Sequence, residues 1–407
     1  MEQQQMEVRK QRGMEIAKTS RIVKNDKGQW KVPSQSGGGH YIVVSNGFGA
    51  ECNCPDHELR NCKCKHIWAV EFIVTKQIDQ EGNVTITQTI RKTYSQDWKN
   101  YNLAQQKEKE IFMKLLSDIT SRINNKTYEF GRPSNNISDT IYSMVFKVYS
   151  TFSGRRFSTD LKIAKENGFA EQKIPYNSMF RYFQKKELTP LLANIVAITS
   201  LPLKSVETKF AIDSTGFGTS NFQRWYSFKY GKEINSRRWV KCHFMTGVKT
   251  NVIPSVKITS EFDNDSPELK QLVNLISEHF EMEEVSADKA YLSQDNLELI
   301  EEKGAVPYIP FKSNNTPSGK GAIWKKMYYF FQLHNEEFLG HYHKRSNAES
   351  SVQMIKSKFG DSVRSKTWTA QVNEVLCKII CHNLCCVIME MHTLGINPDF
   401  TTEKFFN

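Results

Sequence analysis

The sequence contains no run of eighteen uninterrupted apolar residues. The closest approach, VLCKIICHNLCCVIMEM near the C-terminus, is broken by Lys378, His382 and Asn383, so no membrane-spanning helix is expected. The opening residues, MEQQQMEVRKQRGMEIAK, are polar and charged and lack the apolar segment of a secretory signal. An intracellular setting is therefore expected, where the nine cysteines read as core residues or metal ligands rather than disulfides. No internal repeat is present, which sets aside repeat architectures. What the chain does have is length and positive charge. Its 407 residues allow two or three domains, and a formal charge of +11 with a pI of about 9.0 points to a polyanionic partner, most often nucleic acid.

Pattern changes along the chain suggest its organisation. Residues 1–28 read as a basic lead-in. From Gln29, WKVPSQSGGGHYIVVSNGFGAECNC mixes short β-type runs (Trp30–Val32, Tyr41–Val44) with turn residues such as Asn46-Gly47, a small β-rich module over 29–85. Residues 86–205 are mainly helical, with apolar residues recurring at three- and four-residue intervals. Within them, FSTDLKIAKENGFAEQKIPYNSMFRYFQKK turns at Gly168. It fits a helix-turn-helix or a plain helical bundle equally. From Val206 the pattern is α/β. KFAID is a strand, RWVKCHFMTGVKTNVIPSVKIT a hairpin with a break at Thr246–Gly247, and PELKQLVNLISEHF a helix. EEVSA is a strand, LSQDNLELIEE a helix opened by Ser293, and AVPYIPF a strand. The α/β region is expected over 206–365, with a C-terminal helical region over 366–407.

Two acids stand at the expected ends of strands, Asp213 after KFAI and Asp288 after EEVSA. That is where ligands collect in α/β sheets; the alternatives are that Asp213 caps the STGFG turn and Asp288 the next helix. A third acid, Glu349, lies in YHKRSNAESSVQMIK, residues 342–356. At about 100° per residue, Tyr342, Arg345, Glu349 and Lys356 fall on one stripe roughly 60° wide. Ala348, Val352, Ile355 and Phe359 make a separate apolar stripe that can dock on a sheet. On these residues alone an ordinary amphipathic helix is the simpler reading. Taken with the two aspartates, the glutamate completes a hard-oxygen set of the kind that suits Mg²⁺ or Mn²⁺.

Tyr342-x2-Arg345-x3-Glu349-x6-Lys356 resembles the C-terminal signature of insertion-sequence transposases of the DDE type. FAIDSTGF resembles their first acidic block and SADKAYLS their second, at spacings of 75 and 61 residues. The resemblance covers about residues 206–390. It implies a ribonuclease-H-like mixed sheet flanked by helices, with Asp213, Asp288 and Glu349 as the metal-binding catalytic triad. Arg345 and Lys356 would contact DNA phosphate, and Tyr342 would place the transposon end. Lys289 and Tyr291 would support the second acid. Arg224, Trp225 and Tyr226 could stack on or clamp a displaced base, with core packing the simpler role for Trp225. Some members carry a long β-rich insertion before the glutamate helix. Here 30 residues separate Phe311 from Tyr342, and IWKKMYYFF reads as partly helical.

ECNCPDHELRNCKCKHIWAV holds Cys52, Cys54, His57, Cys62, Cys64 and His66. Its C-x-C and C-x-H pairs resemble the SWIM zinc finger, with Cys52, Cys54, Cys64 and His66 as tetrahedral Zn²⁺ ligands. His57 and Cys62 are spare, and either could replace one of them. Cys377, Cys381 and Cys385, four residues apart on the last helix, read as buried core residues rather than a metal stripe.

The expected function is that of a DNA transposase. It would bind the terminal inverted repeats of its element as double-stranded DNA and cut beside them in a metal-dependent reaction. The freed ends would then be joined to target DNA by a homodimer or larger synaptic complex, in the cytoplasm at the nucleoid. The alternatives are a transposase-derived DNA-binding protein without cleavage activity and a structure-specific nuclease on the same fold.

Overall fold

The computed structural model describes residues 2–25, 27–35, 39–46, 49–60, 62–78, 84–88, 97–125, 134–219, 229 and 239–400. Its chain divides into two compact units, Met1–Ser95 and Gln96–Asn407.

In the first unit, helix α1 (Glu2–Thr19) precedes a four-stranded antiparallel sheet of β1 (Val23–Lys24), β2 (Trp30–Pro33), β3 (His40–Asn46) and β4 (Gly49–Cys52). Helices α2 (Pro55–Arg60) and α3 (Lys65–Ile73) follow, then a hairpin of β5 (Val74–Ile78) and β6 (Val84–Gln88). The lead-in at 1–28 is thus largely one helix, and it belongs to this unit's core. Ile16 is buried with Trp30, Val32, Val43 and Ile67. Gly13 permits the approach to α3, since a Cβ there would lie 2.8 Å from the Lys65 carbonyl oxygen.

In the second unit, α4 (Trp98–Thr120), α5 (Ile137–Ser150), α6 (Gly154–Glu166), α7 (Tyr176–Phe183) and α8 (Leu188–Ser200) lead to a five-stranded mixed sheet. The strands are β7 (Lys209–Gly218), β8 (Trp239–Gly247), β9 (Ser255–Ser260), β10 (Glu284–Ala287) and β11 (Val306–Tyr308), in spatial order β11-β10-β7-β8-β9. β7, β8 and β9 run antiparallel to one another in turn, while β10 and β11 continue parallel to β7. The expected hairpin forms as β8 and β9, with β8 ending at Gly247. One expectation fails: β7 does not end at Asp213. STGFG carries on as strand to Gly218, because β8 pairs with it all the way to Trp239.

Side chains alternate across β7, and both faces are covered. Ala211 and Phe217 join a core with the helix Ser346–Phe359, the C-terminal helix Trp368–Thr393 and helices α4–α8. Phe210 and Ile212 face a second core, built with the helices Glu268–Ser277, Gln294–Glu302 and Ala322–Leu333. Ser293 caps Gln294–Glu302 as expected, accepting from Asn296 N. The C-terminal helix is long and apolar enough to cross a membrane, yet 89% of its most apolar window is buried inside the fold. Cys377 and Cys381 are buried on it, as the sequence suggested, and Cys385 is half-buried.

Candidate active site and metal centre

Parallel pairing sets Glu284, Val285, Ser286 and Ala287 of β10 beside Lys209, Phe210, Ala211 and Ile212 of β7. The next step of that register puts Asp288 beside Asp213. Both acids thus stand on one face of the sheet, the face carrying the helix Ser346–Phe359. Asp288 also acts as a cap, of a short turn rather than of the helix Gln294–Glu302, which Ser293 caps. The Asp288 carboxylate accepts from Lys289 N at 2.7 Å and caps the short 3₁₀ turn Lys289–Tyr291. The Lys289 side chain is exposed and Tyr291 is buried.

The stretch from Tyr342 to Lys356 is not one uniform helix. Tyr342 ends the helix Asn335–Tyr342, His343–Arg345 is a 3₁₀ turn, and Ser346–Phe359 is α-helical. Arg345 closes the 3₁₀ turn and reaches the sheet. Its Nη1 donates to Asp213 Oδ2 at 2.8 Å and its Nη2 to Glu349 Oε1 at 2.6 Å. One guanidinium therefore joins the first acid to the third. Burial works against the Arg345 charge, but Asp213, Tyr342 and Glu349 outweigh it and raise its pKa. The Asp213 carboxyl is pushed up, chiefly by burial and then by Glu349 and Asp288, against the pull of Ser214 N–H and Arg345. Lys356 lies farther along the helix, its Nζ 5.7 Å from the Phe217 ring centroid. The structure so groups Asp213, Asp288, Tyr342, Arg345 and Glu349, with Lys356 at the far end of β7. Arg224, Trp225 and Tyr226 lie outside the described residues.

Four residues invisible as site residues in the sequence hold this arrangement. Glu284, at the start of β10, accepts from Lys209 Nζ (2.5 Å) and Lys344 Nζ (2.5 Å), and its Oε2 lies 3.0 Å from His341 Nδ1. Burial opposes the Glu284 charge, but these contacts overcome it and bring its pKa down to about 2. They tie the segment bearing Arg345 to β7 and β10. The signal was the basic run HYHKR, whose partner 57 residues earlier only the fold reveals. Between Phe311 and Tyr342 the regular elements are the helices Ala322–Leu333 and Asn335–Tyr342.

In the first unit, Cys52, Cys54, Cys64 and His66 are all buried, with their ligand atoms within 4.8 Å of one another. His66 Nδ1 lies 3.8 Å from Cys52 Sγ and 3.9 Å from Cys64 Sγ. A tetrahedral zinc site has edges of about 3.5–3.8 Å, so the four residues fit that ion. Among the described residues no other set of three or more such side chains is gathered this closely. The closeness of Cys52 and Cys64 holds the Cys64 thiol below its ordinary value and the Cys52 thiol above it. The two spare residues turn elsewhere, His57 Nδ1 to Cys62 O at 2.8 Å and Cys62 Sγ to Asp56 O at 3.4 Å. Arg9 of α1 pairs bidentately with Asp56 at 2.9 and 3.1 Å.

Fold and site define a mixed α/β protein with an acidic cluster bridged by arginine on one sheet face, and a separate Cys₃His centre. Residues 204–384 match the transposase DDE domain family, which supports a transposase function and the use of divalent metal ions. No solved structure matches the chain.

Proposed function

We propose that this protein is an insertion-sequence DDE transposase that cuts at the ends of its element and joins them to target DNA. The carrying observation is that Asp288, the residue after β10, lies close enough to Asp213 of β7 to act on its charge, with Glu349 tied to Asp213 through Arg345. The strand order, three antiparallel strands followed by two parallel ones, supports a ribonuclease-H-like core. The donor chemistry of three carboxylates fits Mg²⁺ or Mn²⁺, so Asp213, Asp288 and Glu349 would hold the ions. When bound, such ions activate the attacking water or 3′-hydroxyl and stabilise the leaving oxygen.

The chain's own residues do the rest. Arg345 holds Asp213 and Glu349 in fixed relation and offers cationic charge next to the place where a phosphate must sit. Tyr342 flanks it. Lys356, along the same helix, and the exposed Lys289 would contact the DNA backbone; Arg224 is proposed for the same duty. Cys52, Cys54, Cys64 and His66 would hold a structural Zn²⁺ of SWIM type, since four protein ligands leave no open position. Double-stranded DNA would be handled by a dimer or larger synaptic complex.

The test uses purified protein, paired DNA ends and Mg²⁺. Joined product is expected, and Glu349→Gln should reduce it at least a hundredfold while leaving the unfolding midpoint unchanged. Joining that survives this substitution would remove Glu349 from the site.

A further inference from the structure

Lys147 on α5 is buried, 7% exposed, and its Nζ makes no hydrogen bond or ion pair among the described residues, Glu374 acting on it only at longer range. An unpaired buried ammonium is costly. The nearby Lys378 contrasts with it: its Nζ donates to the carbonyls of Phe359, Gly360 and Ser362 at 2.9, 2.7 and 2.8 Å, using all three N–H groups. Both lysines line one cavity of about 430 Å³, together with Arg364 and Lys366. Glu374 is the sole acid in its wall. Both Glu374 oxygens already accept backbone N–H groups, from Arg364 and Ser365 at 2.9–3.1 Å. The cavity therefore carries a clear excess of positive charge.

Two further features select the kind of anion. Ser153 and Gly154, at the N-terminus of the 13-residue helix α6, line the cavity, which sets the positive end of the helix dipole beside it; Ser153 Oγ already accepts from Arg156 N. Phe180, Phe183 and Phe359 give it an aromatic wall. The Phe180 ring lies so close over Gly154 that a Cβ there would be 2.9 Å from it, and 42% of Phe180 remains exposed. Cations plus a helix N-terminus suit a phosphate; an exposed aromatic face suits a base. We propose that this cavity binds one nucleotide of a DNA strand, its phosphate at Lys147 and the α6 N-terminus and its base against Phe180.

That the nucleotide belongs to a strand rests on the DNA-processing reading above, and the fold supports it. Gly218, at the end of β7, bridges to Ser362 in the cavity wall. Gly218 lies five residue steps beyond Asp213 along the strand, roughly 17 Å. Along the neighbouring helix, Glu349 to Phe359 is about 15 Å. A strand whose reacting phosphate met the acids would reach the cavity about five nucleotides away at 3.4 Å each. Arg155, Arg156 and Arg364 are exposed beside it.

The test uses the full-length protein with a fluorescent ten-nucleotide single strand, deoxyadenosine monophosphate and inorganic phosphate. Lys147→Met keeps the stem and removes the charge, so its unfolding midpoint should equal or exceed that of the wild type. It should weaken strand binding about tenfold and flatten the slope of log affinity against log salt by about 0.7, the value for one lost phosphate contact. Phe180→Ala should weaken binding about five- to tenfold with the salt slope unchanged. Wild-type affinity and slope in Lys147→Met overturn the proposal, as does wild-type affinity in Phe180→Ala. So does binding of the mononucleotide or phosphate through Lys147 without any effect on the strand. Strand binding through Lys147 in a protein that joins no DNA ends would sink the transposase reading and leave the cavity assignment standing.

Discussion

At the scale of single residues, Arg345 organises the acidic cluster. It comes from a 3₁₀ turn and bonds both Asp213 and Glu349, which offsets the repulsion expected between carboxylates gathered on one face. Glu284 is its anchor. The Glu284 pKa lies below the ordinary value of 4.5, at about 2. A depressed carboxylate contributes stability that is full above pH 4.5 and is lost as the pH falls toward 2. Glu284→Gln is therefore expected to lower stability by about 1–3 kcal/mol at pH 7. Urea unfolding at a series of pH values should show the gap to wild type closing between pH 4.5 and 2. A gap independent of pH would mean the carboxylate charge is not what matters.

At the scale of elements, close packing decides where the first helix goes. α1 has a weak apolar pattern, and the sequence offers little reason to dock it. Gly13 supplies one, because α1 approaches α3 so nearly that a Cβ would meet Trp68 Cβ at 2.5 Å and the Lys65 oxygen at 2.8 Å. Backbone atoms cannot give way as a flexible side chain can, so Gly13→Ala should cost about 1–3 kcal/mol. The zinc-loaded protein should then release its metal to a chelator faster than wild type. Equal release rates would show that α1 does not support the Cys₃His centre.

At the scale of the whole molecule, there are two separate sets of cores. Ile16, Val43, Ile67 and the metal cysteines form one, and the helices and mixed sheet of residues 96–407 build the others. A unit as small as the first draws much of its stability from a structural metal. Calorimetry of the full chain should show two transitions. Stripping zinc with a chelator should abolish or lower the one belonging to residues 1–95 and leave the other within a degree or two. A common shift of both would show that the units unfold together.

Sequence alone determined much of this protein. Alternating and three-to-four spaced apolar residues fixed most elements from α4 onward, because burial of one face imposes those periods. The acidic blocks and the Cys/His pairs stood out because their spacing carries chemistry. Where chain partners lie far apart in sequence, only tertiary structure decided. Strand β7 runs past Asp213 because β8 pairs with it, and a residue cannot announce its neighbour across a sheet. Asp288 comes near Asp213, 75 residues earlier, because β10 pairs with β7 up to the residues just before them. The choice of Cys52, Cys54, Cys64 and His66 over His57 and Cys62 depended on which way each side chain turned once Asp56 and the Cys62 carbonyl had found their partners. Lys147 reads as an ordinary helical lysine until folding buries it with no hydrogen-bond or ion-pair partner for its ammonium among the described residues, since burial is a property of the packed whole and not of the local pattern.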